Sequence, residues 1–199
     1  MNTITPSIRT QNSKPNFTSR NNPIAPFKIA SKLGDIKISE IDYDKDVTLT
    51  LMKKLSNFFT EHFSQQTYYE PLKKIKSGTP AERLKYQKEF DQYYTDIFEH
   101  KDNKDNLTML IGTDKDNNIV AGCLSYGYHD LPKGKDTTLY IDSLAVSPEL
   151  RGLNIAKTLL EQTFNANKKS FNDVFLASTP MATKFYEKLG FQKMTRENS

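Results

Sequence analysis

Apolar residues first fall into a regular rhythm after Asp35. Ile36, Ile38 and Ile41 roughly alternate with polar neighbours, the period of a half-buried strand. From Asp44 the spacing lengthens. Leu51/Met52, Leu55, Phe58/Phe59 and His62/Phe63 recur at helical intervals, which predicts an amphipathic helix. A second helix is marked at its start by Thr79-Pro80-Ala81-Glu82, which reads as N-cap, proline at the first helical position, and a Glu closing a capping box. Phe90, Tyr93/Tyr94 and Ile97/Phe98 then share one face. These aromatics suit core packing, and some of them suit the wall of a ligand groove.

After a charged connector over 101–106 the pattern turns to short apolar runs that read as strands. Leu107 to Gly112 and Ile119 to Tyr128 flank a turn at Asp114-Lys115-Asp116-Asn117-Asn118, a hairpin signature. A looser loop over 130–136 leads to a third strand of the meander, 138–146. Ala156, Leu159/Leu160 and Thr163/Phe164 then mark a helix, and 173–177 a short buried strand. Thr179-Pro180 opens a last helix carrying Phe185 and Leu189. Gly190 stands where a helix-terminating glycine belongs, with Phe191 placed for the apolar contact that accompanies it.

Residues 1–34 lack such a rhythm. They are rich in Asn, Ser, Thr and Pro and carry five basic residues (Arg9, Lys14, Arg20, Lys28, Lys32) and no acid. This composition predicts a flexible basic arm ahead of one domain spanning 35–199. The arm changes the meaning of the charge. The chain of 199 residues has a formal net charge of +4, but the part after residue 34 is close to neutral, at −1. A nucleic-acid-binding surface needs a basic stripe on the domain itself, so no nucleic acid is expected as a partner. No apolar run approaches the roughly 18 residues of a membrane span. No signal-peptide layout is present, and the prolines of the arm oppose a transit-peptide helix, so the expected compartment is the cytoplasm. The single cysteine, Cys123, excludes an internal disulfide. The three histidines (His62, His100, His129) form no metal-binding pair, and no metal is expected.

The stretch from Leu139 to Leu160 carries the chemistry. It reads as a strand, a tight turn at Ser147-Pro148, and a helix opening near Gly152. Unpaired amides and a partial positive charge at a helix N-terminus seat phosphate, and Arg151 adds a charge-assisted contact. By itself this is the geometry of any strand-turn-helix.

Leu144-Ala145-Val146-Ser147-Pro148-Glu149-Leu150-Arg151-Gly152-Leu153-Asn154-Ile155-Ala156 resembles the acyl-CoA-binding motif of the GNAT N-acetyltransferases, Arg/Gln-x-x-Gly-x-Gly/Ala. Arg151 fills its first position and Ala156 its last, while Asn154 replaces the usual inner glycine. Phe185-Tyr186-Glu187-Lys188-Leu189-Gly190-Phe191 resembles the second signature of the family, in the expected order. The resemblance covers about residues 35 to 195. It implies an α/β fold with a mixed, mainly antiparallel sheet of six or seven strands and about four helices. It also implies acetyl transfer from acetyl-CoA to a primary amine by direct attack in a ternary complex. In such proteins the two strands around the site splay apart and hold the pantetheine. By position, Leu144, Ala145 and Val146 would face the pantetheine and acetyl group through their main chain. The amides of Arg151, Gly152, Leu153, Asn154, Ile155 and Ala156 would meet the phosphates. Tyr186 matches the tyrosine near the thioester sulfur, a general acid, unless it is merely a core ring.

Asp142 is placed near the acetyl position. The period of two sets Tyr140, Asp142, Leu144 and Val146 on one face. Asp142 either accepts the amine proton, directly or through a water, which requires burial to raise its pKa, or merely binds the substrate ammonium or caps a loop, in which case a water chain is the base. Ser178 and Thr179 either polarise a water or cap the next helix. The amine is expected to be a small molecule, a polyamine or a peptide amine, and the protein a monomer or homodimer. The alternative is a non-catalytic acyl-CoA-binding module on the same fold.

Overall fold

In the computed structural model, which describes residues 3–5, 24–32, 34–43, 45–64, 70–99, 107–127, 138–168, 170–171 and 173–193, the strand-period segments join in one mixed sheet. Its strands are β1 (Thr3–Thr5), β2 (Phe27–Ile29), β3 (Ile36–Glu40), β4 (Thr108–Thr113), β5 (Ile119–Gly127), β6 (Thr138–Val146), β7 (Asp173–Ala177) and β8 (Gln192–Lys193). The order across the sheet is β2-β3-β4-β5-β6-β7-β1-β8. Only β6 and β7 pair in parallel; all other neighbours are antiparallel. The described helices are α1 (Leu49–Ser64), α2 (Glu70–Ser77), α3 (Pro80–Glu99), α4 (Ile155–Asn167) and α5 (Thr183–Lys188). No described helix is long and apolar enough to cross a membrane.

The expected α/β class and mixed sheet are present, with elements the rhythm did not show. Phe27 and Ile29 pair with Ile38 and Ile36, so the sheet begins inside the segment read as an arm. Thr3–Thr5 lies between β7 and β8. Residues 70–77, where the rhythm marks no element, are helical. The connector 101–106, the loop 130–136, His100, His129 and residues 6–23 lie outside the described residues.

Local signals act as the sequence predicts. The Thr79 amide donates to Glu82 Oε2 at 2.8 Å and the Glu82 amide to Thr79 Oγ1 at 3.3 Å, a reciprocal capping box starting α3. Those bonds and Lys74 hold the Glu82 carboxyl down at about 2. In the β4–β5 turn Asp114 Oδ1 accepts the amides of Asp116 and Asn118.

Two apolar layers cover the two faces of the sheet. Ile36, Ile38, Leu139, Ile141, Leu159, Leu160, Leu176 and Phe191 pack on the face that carries α4 and α5. Leu55, Phe59, Tyr94, Phe98, Met109 and Leu124 pack on the face that carries α1 and α3. Phe59 and Tyr94 stack there at 5.3 Å between ring centroids.

Candidate active site

The site forms where the β6–β7 pairing stops. Register runs from Thr138↔Asp173 to Ile141↔Leu176 and no further. From Asp142 to Val146, β6 therefore has no partner strand on its β7 side, and its main-chain groups there are open to a ligand. The gap leads into a cavity of about 310 Å³ lined by Leu144, Ala145, Val146, Arg151, Ala156, Met181, Ala182, Phe185, Tyr186, His62 and Phe63. Its walls come from both faces of the sheet, α1 on one side and α4 and α5 on the other. The cavity thus runs through the split rather than lying on one surface.

A β-bulge sits at the edge of the opening. Leu124 pairs with Ser143 and Ser125 with Ile141, so Asp142 is the additional residue on β6. The extra residue reverses the parity of the strand. Leu139 and Ile141 face the α4 layer before it, and Leu144 and Val146 face that layer after it. Asp142, Ser143 and Ala145 turn toward α1 and α3. The expected common face of Tyr140, Asp142, Leu144 and Val146 is therefore corrected: the bulge divides it.

Asp142 does not line the cavity; it lies in a cluster of hydroxyls beside it. Tyr93 OH donates to Oδ1, Tyr126 OH donates to the same oxygen at 3.3 Å, and Ser143 Oγ donates to Oδ2 at 2.7 Å. Ser143 Oγ also lies 3.1 Å from Tyr94 OH. Burial pushes the Asp142 carboxyl above the ordinary carboxylate range, while the three hydroxyl donors pull the other way. Burial first, and then the Asp142 charge, raise the pKa of Tyr93, Tyr94 and Tyr126, so all three stay protonated donors.

Tyr186 reaches the cavity from α5, and the end of that helix holds it in place. The Gly190 amide donates to Glu187 O at 3.0 Å and the Phe191 amide to Tyr186 O at 3.1 Å, the paired bonds of a Schellman ending, with Gly190 at φ +91°. Phe191 then packs its ring against Tyr186 at 5.4 Å. Burial, with a smaller contribution from Cys123, raises the Tyr186 phenol above its ordinary pKa, so it is a proton donor and not a phenolate at neutral pH. Thr179 Oγ1 accepts the Ala182 amide at 3.3 Å in the turn ahead of α5; the N-cap of that helix is Ala182 and no side chain caps it, so the expected capping of the helix itself by Thr179 is corrected to a bond within the preceding turn.

The turn before α4 borders the same cavity, which Arg151 and Ala156 line. Gly152 adopts φ +83° and Asn154 φ 59°, ψ 14°, the left-handed region. Asn tolerates that region better than most side chains, which explains how it stands where a glycine is usual. No side chain caps α4, and the amides of Gly152 to Ala156 donate to no carbonyl among the described residues. The Arg151 amide is different. It donates to Pro148 O at 3.2 Å, so Arg151 offers the cavity only its side chain. The Ile155 side chain is buried in the core and has only its amide to offer.

One residue the sequence reading passed over is His62. It sits in the apolar stripe of α1 and lines the cavity. An ionisable ring among Phe58, Phe59 and Phe63 is the signal that was available. The Cys123 thiol is fully buried and pushed up to about 12. Among the described residues no three potential metal ligands converge.

A family model described as the acetyltransferase (GNAT) family matches residues 72–191. No curated protein matches the sequence. Among solved structures, a predicted acetyltransferase from Clostridium acetobutylicum with acetyl-CoA shares 17% identity and a TM-score of 0.56, over 81% of this chain and 92% of that one. An acetyl transferase from Pyrococcus furiosus shares 15% and 0.57, over 79% and 95%. An aminoglycoside acetyltransferase from an uncultured soil metagenomic sample shares 18% and 0.55, over 80% and 93%. At these identities the likeness concerns the fold.

Proposed function

Because the chain belongs to the GNAT acetyltransferase family, we propose that it moves an acetyl group from acetyl-CoA to a primary amine by direct attack within a ternary complex. The observation that carries this reading is the ending of the β6–β7 pairing at Ile141↔Leu176, which opens β6 onto a through-sheet cavity. An extended pantetheine fits such an opening as an added strand, on the main chain of Leu144, Ala145 and Val146. The cavity is within the range of small-ligand sites. The open amides of Gly152, Leu153, Asn154, Ile155 and Ala156, together with the Arg151 guanidinium, suit the pyrophosphate.

In this reading Tyr186 donates a proton to the departing thiolate, for which a phenol kept protonated by burial is fitted. Asp142 serves better as a counter-charge than as the base. It lies outside the cavity lining, and its oxygens already accept three hydroxyl bonds. Beside half-exposed Tyr93 it draws and orients an ammonium approaching from the α1–α3 side. Most of the rate enhancement comes from positioning the two reactants.

The test is thiol release from acetyl-CoA with a panel of amines (a polyamine, an aminoglycoside, an amino sugar phosphate, a peptide N-terminus). The expected result is release that depends on one class of amine, with a CoA-dependent rise in melting temperature. A rise in melting temperature without release for any amine would favour the non-catalytic binding module instead.

A further inference from the structure

We infer that His62 accepts the amine proton. This rests on the acetyl-transfer reading above and supplies the base that it lacks. His62 Nδ1 lies 2.7 Å from the Phe58 carbonyl oxygen, an atom that only accepts, so Nδ1 carries the proton. In the neutral ring Nε2 is then an open lone pair. No hydrogen bond reaches Nε2 among the described residues, and the residue is 8% exposed while lining the cavity. The ring is held against Phe58 at 4.3 Å between centroids, so its orientation is set before substrate arrives.

The placement complements that of Tyr186. His62 enters the cavity from α1, on the face where Asp142 and Tyr93 lie, and Tyr186 enters from α5 on the opposite face. An ammonium arriving on the α1 side gives one proton to Nε2 and becomes a nucleophile. Its nitrogen lone pair forms the C–N bond with the thioester carbon. The C–S bond then breaks with its electron pair on sulfur, which takes the Tyr186 phenolic proton. A second amine proton restores the phenol as the amide forms, and Nε2 returns the first proton to solvent. One ammonium and one thioester thus yield one amide, one thiol and one proton.

The experiment compares His62→Asn, His62→Gln and His62→Ala with wild type in the full chain, using the amine that supports release. Asn keeps a donor within reach of the Phe58 carbonyl and lacks a nitrogen at the Nε2 position. It is expected to lower kcat at least about a hundred-fold, the scale of general-base catalysis, with an unchanged CoA-induced shift in melting temperature. Added imidazole is expected to restore His62→Ala by at least tenfold and to leave wild type unaffected. A kcat for His62→Asn or His62→Gln within about threefold of wild type would overturn the role. So would a large loss in a normally folded His62→Ala that imidazole does not relieve. Absence of release by the wild type with every amine would remove the transfer reading and this one together, whereas active wild type with active variants would remove only this one.

Discussion

Replacing Asn154 tests whether the backbone of the turn before α4, rather than the asparagine side chain, does the work there. Asn154 sits at φ 59°, ψ 14°. An ordinary L-residue pays roughly 1–2 kcal/mol in that region, and Asn pays less. Its side chain makes no capping bond to lose. Asn154→Ala is therefore expected to cost about 1 kcal/mol, which for a chain of this size lowers the melting temperature by about 2–4 °C. Asn154→Gly removes the steric cost but adds unfolded-chain entropy worth about 0.4–1 kcal/mol, so it should stay within roughly 0.5 kcal/mol of wild type. The same order should appear in CoA affinity, because tilting this residue out of the left-handed region re-aims the open amides of Gly152 to Ala156. Thermal unfolding with and without CoA measures both. An alanine variant that melts with the wild type and binds CoA equally well would refute the reasoning.

Tyr186→Phe should lower kcat by about two orders of magnitude with CoA affinity retained, since only the proton donor is lost; unchanged turnover removes Tyr186 from the chemistry. Asp142 has a raised pKa in the fold, so its contribution to stability is fully present below its ordinary value near 4 and is lost as pH rises through the raised value. The melting temperature of wild type should therefore fall relative to that of Asp142→Asn as pH is raised from about 4 to 8; the reverse trend would mean the three hydroxyl donors outweigh burial. The Cys123 thiol, buried and pushed up to about 12, should resist a thiol reagent in the native protein at neutral pH and react at once on unfolding; rapid native labelling would contradict its burial.

Signals within a few residues of one another were readable before the fold was known. Thr79 and Glu82 cap α3 as their spacing implied, and Gly190 with Phe191 ends α5 in the way that sets Tyr186. The strands from Ile36 to Ala177 were readable from alternation in β3 and from short apolar runs bounded by turn residues in β4 and β5. What the pattern concealed were features decided by a partner strand or a distant face. Burial along β6 alternates without a break, yet Ile141 is buried toward α4 and Ser143 and Ala145 toward α3, because the bulge at Asp142 exists only in its pairing with β5. Helix α2, with the sequence Glu-Pro-Leu-Lys-Lys-Ile-Lys-Ser, holds too few apolar residues to show a helical period. Phe27 and Ile29 are too few to show a period, and they belong to a strand only because β3 offers an edge. His62 looked like one more member of an apolar stripe, and its significance appeared only when the cavity reached α1. Geometry carried by a local motif was legible; geometry assembled across the split was not.

In the proposed reaction an acetyl group passes directly from CoA to an amine across the gap between β6 and β7. Rapid-quench single turnover with radiolabelled acetyl-CoA tests it most directly. Label should move to the amine only when enzyme and amine are both present, with none appearing on the protein at any time. Label that stays on CoA with every amine, or that accumulates on the protein before the amine is acetylated, would contradict it.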